Sequence, residues 1–173
     1  MNSLLKNIAR FTLFLLIQII ILNEVPPLHK FITPYIYFLF LLWLPFGTSR
    51  LVMTLLGFVL GYTLDLFMNT PGLHAAACLL VGYIRPTVLN LLLAQEASEE
   101  INKEPSIGTM GWGPYVFYLF ILTFVHHFYL VLLEWLQFGS FTYFIGKVFA
   151  TSLISILLIL SVELITNRRK LKK

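Results

Sequence analysis

Six long apolar segments, separated by short polar connections, fill most of this chain of 173 residues. A helix needs about 20 apolar residues to cross the hydrocarbon layer of a membrane, and about 17 at the short limit. Only helices and closed barrels satisfy their own backbone hydrogen bonds in lipid, so the sequence predicts an all-α integral membrane protein with six transmembrane helices. The predicted spans are about 8–22, 32–46, 51–67, 72–92, 114–137 and 143–165.

Two of these segments contain prolines that restrict a helix. Pro34 and Pro45 bracket the second segment, which makes it the weakest of the six, although proline is tolerated in the first turn of a helix. Arg85 and Pro86 lie within the fourth segment, so this span can stop there and continue as an interfacial helix over 87–94. Arg85 is then interpreted as a marker of the inner membrane boundary.

The composition argues against a separate water-soluble catalytic domain. Hydrophobic residues make up 58% of the chain and charged residues 12%, with a mean hydropathy of +0.86, so the whole of 1–173 is read as a single transmembrane domain. Cys78 stands alone, which excludes a disulfide framework and a Cys-rich metal site. Standard enzyme signatures such as HExxH and GxSxG are also missing. We therefore predict no enzymatic activity and no cofactor.

Basic residues set the predicted orientation, because Lys and Arg are retained on the cytoplasmic side. Placing the N-terminus in the cytoplasm leaves only Lys30 and Lys147 toward the outside, and this asymmetry requires an even number of spans. The basic residues on the cytoplasmic side are Lys6, Arg10, Arg50, Arg85, Lys103 and the tail 166–173. The tail is expected to contact anionic lipid rather than nucleic acid.

The one substantial polar connection is the predicted cytoplasmic loop 94–113. It contains the acidic stretch 96–104. Acidic residues do not contradict a cytoplasmic placement, since the orientation rule counts Lys and Arg rather than net charge. This loop is either a solvated connector or a docking loop for a partner.

Gly57, Gly61 and Asp65 recur every four residues in the third segment and therefore share one helix face. Glycines at this spacing let two membrane helices approach backbone to backbone. A carboxylate in hydrocarbon is costly, so Asp65 either reaches the outer interface or finds a partner. Pro71 and Gly72 form a tight outer turn, after which His74 lies at a similar depth and can pair with Asp65.

Other polar residues also lie in apolar segments. Glu134 and Lys147 are expected to pair across the fifth and sixth helices, and with Asp65 and His74 they form a candidate outer polar cluster. His126 and His127 point about 100° apart on a helix and cannot chelate one ion as an i, i+4 pair can. Inter-helical hydrogen bonds from them to a backbone carbonyl or to Gln18 are expected instead.

The stretch Gly57-Phe-Val-Leu-Gly61-Tyr-Thr-Leu-Asp65-Leu-Phe-Met-Asn69-Thr-Pro71-Gly72-Leu-His74, followed by Gly82-Tyr-Ile-Arg85, resembles the central signature of the rod shape-determining protein MreD family. The resemblance is specific over 57–85 and rests on hydropathy elsewhere. The acidic stretch 96–104 is longer and more charged than the family pattern.

The resemblance implies a non-enzymatic subunit of the bacterial cell-elongation machinery in the inner (cytoplasmic) membrane. It implies a fold similar to the substrate-binding components of energy-coupling factor vitamin transporters. It also implies MreC as a partner and, indirectly, MreB, RodA and the elongation transpeptidase, with no catalytic residues. The signature positions are candidates for helix packing and partner contact: Gly57, Gly61, Asp65, Pro71, Gly72, His74 and Arg85.

Two other functions stay open from the residues. A small-molecule binding or permease subunit of a vitamin-type transporter would use the outer polar cluster as a pocket lining. An intramembrane enzyme would need Asp65, His74 or His126 to converge on a water-accessible point, but the predicted depths of Asp65 and His126 differ by several turns.

Overall fold

A computed structural model describes residues 3–24, 33–93, 101–138 and 140–170. Within these residues the protein is all-α. The helices are α1 (Ser3–Leu16, extended by a π-helical turn over Ile17–Leu22), α2 (Leu39–Leu42), α3 (Arg50–Met68), α4 (Leu73–Leu92), α5 (Ile107–Met110), α6 (Trp112–Phe138) and α7 (Phe141–Lys170). Lys30, the loop residues 94–100 and the end of the tail at 171–173, to which the sequence assigned roles, lie outside the described residues.

Five helices in the described part of the chain are long and apolar enough to cross a membrane. They are α1 with its extension, α3, α4, α6 and α7. The chain therefore has the architecture of a multi-pass membrane protein, and five of the six predicted spans are confirmed as helices of this kind. α3 packs against α4, α4 against α6, and α6 against α7.

The prediction of a second transmembrane helix over 32–46 is wrong for the residues that the structure describes. Between Thr33 and Ser49 only the four residues of α2 are helical. All residues from Tyr35 to Leu44 are buried, with exposed fractions of 0–7%. We call 33–47 the buried segment, because its central residues 35–44 lie in the interior of the bundle and not against lipid. Irregular backbone is tolerated at membrane depth when protein surrounds it.

Side chains of the neighbouring helices satisfy the backbone at the beginning of the buried segment. The Tyr35 N–H donates to Ser155 Oγ at 3.1 Å, and the Ile36 N–H donates to Gln18 Oε1 at 3.0 Å. Gln18 in turn donates to the Pro34 carbonyl at 3.2 Å. Buried polar side chains of α1 and α7 thus replace hydrogen bonds that a regular helix would make within itself.

α4 continues through Pro86, so the predicted break at this proline and the separate interfacial helix over 87–94 are wrong. The helix runs from Leu73 to Leu92 with Pro86 inside it. A proline removes one helix hydrogen bond, but packing of the flanking turns holds the axis together: Arg85, Val88 and Leu89 are all buried.

Candidate functional site

The glycines of the third segment bring α3 into backbone contact with α4. A Cβ atom added at Gly61 would lie 2.6 Å from Ala75 Cα, and one added at Gly57 would lie 2.9 Å from the Cys78 carbonyl carbon. Real Cβ atoms essentially never come closer than 3.0 Å to such atoms. The predicted close packing is confirmed, and the helix that these glycines face is α4 of the same chain.

A third glycine, on α4, completes this interface. A Cβ atom added at Gly82 would lie 2.8 Å from the Met53 carbonyl carbon. Gly82 was not among the residues singled out as packing candidates. The signal was present in the sequence, because Gly82 follows the small residue Cys78 by four positions and so repeats the small-xxx-small pattern on the facing helix.

Asp65 links the end of α3 to the start of α4. Its carboxylate accepts hydrogen bonds from the His74 N–H at 3.0 Å, the Ala75 N–H at 2.9 Å and the Thr70 hydroxyl at 2.9 Å. The first N–H groups of a helix lack intrahelical partners and carry partial positive charge, so the carboxylate caps α4. Asp65 is 3% exposed, and the alternative in which it extends to the outer interface is wrong.

The predicted Asp65–His74 pair is confirmed. His74 Nδ1 donates to Asp65 Oδ1 at 2.8 Å, and both side chains are buried. Pro71 and Gly72 lie in the exposed turn between the two helices. Asn69 with φ of 53° and Gly72 with φ of 87° both adopt the left-handed conformation that reverses the chain here.

Glu134 and Lys147 also form the predicted ion pair, with exposed side-chain fractions of 29% for Glu134 and 11% for Lys147. This pair joins α6 to α7, whereas Asp65 and His74 join α3 to α4. The hydrogen bonds that the side chains of Asp65 and His74 make with described residues all stay within 65–75 and do not reach Glu134 or Lys147. The four residues of the predicted outer polar cluster therefore form two separate pairs and not one hydrogen-bonded group.

Arg85 lies in the protein interior and not on the surface of the bundle, and its position at the inner membrane boundary stays a prediction. The side chain is fully buried and donates to the Tyr118 hydroxyl at 2.8 Å and to the carbonyls of Leu42, at 3.4 Å, and Leu44. Tyr118 donates to the same Leu42 carbonyl at 2.9 Å. The irregular end of the buried segment leaves these carbonyls without helix partners, and Arg85 provides the donors that they need.

A polar network at the end of the bundle where α1 begins fastens the loop after α4 to α1. Lys6 and Arg10 both donate to the Glu104 carboxylate, at 2.6 Å and at 2.8 and 3.0 Å. Partial burial raises the pKa of Glu104, whereas the hydrogen bonds from Arg10 and Lys6 and the positive charges of these two residues lower it. The lowering effects are larger together, so the pKa of Glu104 is below its ordinary value of 4.5. The N–H groups of Phe46 and Gly47 donate to carbonyls of the same loop.

This polar network continues through aromatic side chains to α7. The Arg10 guanidinium lies 5.1 Å from the ring centroid of Trp43, whose indole N–H donates to Tyr115 at 3.1 Å. The Tyr115 hydroxyl donates to Glu163 at 3.0 Å. Tyr115 and Glu163 were missed as interior residues, because in a single apolar segment a tyrosine that faces lipid and one that faces protein look alike.

The central histidines are hydrogen-bonded inside the bundle. His127 Nδ1 donates to the Thr123 carbonyl at 2.7 Å, a backbone partner within the same helix and not the inter-helical carbonyl that was expected, and His126 Nε2 is bonded to the Tyr37 hydroxyl at 2.8 Å. The proposed bond to Gln18 is wrong, since Gln18 binds the buried segment instead. Among the described residues, no group of three or more His, Cys, Asp or Glu side chains is placed to hold a metal ion.

His74 and His126 both lie close to Tyr37. The Tyr37 ring centroid lies 5.8 Å from that of His74 and 5.5 Å from that of His126.

No known family model, curated protein or solved structure matches this chain.

Proposed function

We propose that this chain is a non-enzymatic inner-membrane subunit of the bacterial cell-elongation complex, and that it supports assembly of the peptidoglycan synthesis machinery. The observation that carries the proposal is the construction of the α3–α4 hairpin, which contains the whole stretch that resembles the MreD signature. Its glycines and its acid are used inside the protein: Gly57 and Gly61 bring the helices together, and Asp65 caps α4. A hairpin fixed in this way presents a rigid surface to a partner.

The outward face of α3 is the surface that we assign to the partner. Leu55, Phe58, Tyr62 and Leu66 are 44–63% exposed, and the rings of Phe58 and Tyr62 stack with centroids 5.6 Å apart. This face lies opposite the glycines. We assign this apolar face to a transmembrane helix of MreC, the partner that the resemblance implies. MreB, RodA and the elongation transpeptidase would then associate with this chain indirectly, through MreC.

The positions of the basic residues support cytoplasmic termini. Lys6 and Arg10 meet Glu104, and the chain near Gly47 meets the backbone of Ile101 and Lys103, so these basic residues gather at one end of the bundle. We infer that the buried segment 33–47 provides the sixth crossing. An even number of crossings agrees with the distribution of Lys and Arg.

Depletion of the protein from its rod-shaped host, followed by microscopy, tests the proposed function. The expected result is rounding of the cells, because wall synthesis loses its elongation geometry. Rods that keep their shape but acquire a requirement for a vitamin-like nutrient would refute the proposal and favour a transporter subunit.

The assigned surface can be tested with a photo-crosslinking phenylalanine analogue at Tyr62. A matched control carries the analogue at Phe149 on α7, which is 60% exposed. We expect a crosslink to MreC from position 62 and none from position 149. Equal crosslinking from both positions would refute the assignment of the α3 face.

The permease alternative receives less support from the geometry. Asp65 and His74 bind each other, and both side chains are almost fully buried. A groove of about 270 Å³ beside α1 is lined by Thr12 and otherwise by apolar side chains such as Leu16 and Phe67. It lacks the convergent polar groups that orient a small ligand.

A further inference from the structure

Two buried imidazole nitrogens lie near the same pair of tyrosines. His74 Nε2 and His126 Nδ1 have no hydrogen-bond partner among the described residues, although His74 is 2% exposed and His126 is fully buried. Tyr35 and Tyr37 contact both histidine rings, with centroid distances of 5.5–6.3 Å. Leaving a buried polar atom without a partner costs about 1–3 kcal/mol, so two such atoms in one region call for a ligand.

The other nitrogen of each ring is held in place. Asp65 accepts from His74 Nδ1 at 2.8 Å, and the Tyr37 hydroxyl binds His126 Nε2 at 2.8 Å. The His126 ring also stacks on Phe38 with centroids 4.3 Å apart and an interplanar angle of 14°. Both orphan nitrogens are therefore fixed in orientation by their surroundings.

Two further buried hydroxyls have no hydrogen-bond partner among the described residues. Thr123 Oγ1 is on α6, one turn before His126, and Ser152 Oγ is on α7. Both side chains are buried, with Thr123 at 0% and Ser152 at 4% exposed. Hydroxyls can donate as well as accept, so they add the kind of partners that a buried water molecule uses.

His127 is a natural contrast. It is as buried as its neighbour His126, but both of its nitrogens have protein partners. Nδ1 donates to the Thr123 carbonyl, and Nε2 accepts from Ser155, whose oxygen in turn accepts from the Tyr35 N–H. This side chain needs no additional ligand.

We propose that ordered water molecules bind between His74 Nε2 and His126 Nδ1 and join them in one hydrogen-bonded chain. Water fits because it can donate to or accept from either nitrogen, whichever tautomer is present. The chain makes a continuous polar path from the outer turn, through Asp65 and His74, to His126 and Tyr37 in the middle of the bundle. This inference does not depend on the proposed function.

Solid-state NMR of the full-length protein in lipid bilayers, with ¹⁵N-labelled histidine, tests the proposal directly. Magnetisation transferred from water should reach His74 Nε2 and His126 Nδ1 strongly. It should not reach either nitrogen of His127, which is the internal control of equal burial. If magnetisation from water reaches neither nitrogen, or only one of the two, the proposed water chain between His74 and His126 is refuted.

A double-mutant cycle gives an independent test. His74→Asn keeps an amide near the position of Nδ1 and removes Nε2, whereas His126→Gln keeps an amide near Nε2 and removes Nδ1. A shared water chain is broken by either change, so the double variant should lower the thermal unfolding midpoint by little more than one single variant. Additive losses would overturn the bridge, and His127→Gln combined with His74→Asn, which is expected to be additive, is the matched control.

Discussion

Replacing Gly61 with alanine should separate α3 from α4. The added Cβ would lie 2.6 Å from Ala75 Cα, whereas ordinary contact begins at 3.4 Å, so the two backbones must move apart by roughly 1 Å. The obstacle is backbone and not the end of a flexible side chain, so no rotamer change relieves it. The same movement loosens the contacts that Gly57 and Gly82 make along the same interface.

The expected loss follows from measured effects of overpacking. Forcing extra volume into a packed interface costs about 1–3 kcal/mol, and each kcal/mol lowers the unfolding midpoint by about 2–4 °C in a chain of this size. We therefore expect Gly61→Ala to lower the midpoint by about 2–12 °C in detergent or nanodiscs, while the protein still inserts.

Gly113→Ala is the matched control for this prediction. Gly113 lies in α6, and nothing lies within 4 Å of the position that its Cβ would occupy. Alanine there should be neutral or slightly stabilising, because it lowers the entropy of the unfolded chain and favours helix. If Gly61→Ala lowers the midpoint no more than Gly113→Ala does, the reasoning from backbone contact is refuted.

Three further predictions concern polar groups that are buried or partly buried. Asp65→Asn removes the charge from the cap of α4 and should lower the unfolding free energy by about 1–2 kcal/mol, measured by thermal unfolding; an unchanged midpoint would contradict the capping role. Arg85→Met leaves the Leu44 carbonyl without its donor and should cost at least about 1–3 kcal/mol, with partial recovery in Arg85→Lys; equal stability of all three proteins would count against this role. The pKa of Glu104 is lowered in the folded protein, so its contribution to stability is present above the unfolded pKa and disappears as the pH falls through the folded pKa. When the thermal unfolding midpoint is measured at decreasing pH, the unmodified protein should lose stability below about pH 4.5, and the Glu104→Gln variant should not show this loss. Identical dependence of the two midpoints on pH would show that the Glu104 carboxylate does not contribute to stability.

The helices that the sequence predicted correctly are those in which local pattern and environment agree. Long apolar runs demand helices in lipid whatever lies beside them, because their backbone has no other source of hydrogen bonds. The Gly57 and Gly61 spacing and the short turn at Pro71 and Gly72 likewise act between neighbours in the chain. The Asp65–His74 pair follows from that turn, since a tight connection leaves the two residues at one depth.

The second predicted span failed because its environment is not lipid. The residues of 33–47 are as apolar as those of a membrane helix, but other helices enclose them. Gln18, Arg85, Tyr118 and Ser155 supply the hydrogen bonds that an irregular backbone needs. These four side chains come from distant parts of the chain, so no local sequence pattern predicts that they all hydrogen-bond to the backbone of 33–47.

The sequence by itself determined that this protein is built from long membrane-type helices, where its tightest hairpin turns, and which glycines bring two helices together. These properties depend on hydropathy, on backbone freedom and on residues a few positions apart. Only the tertiary structure decided that Arg85 is a core residue, that 33–47 is an enclosed irregular segment, and that His74 and His126 share one pair of tyrosines. Those outcomes depend on hydrogen bonds and ring contacts between residues that are distant in the sequence. The lengths and packing of the helices determine which of these residues come into contact.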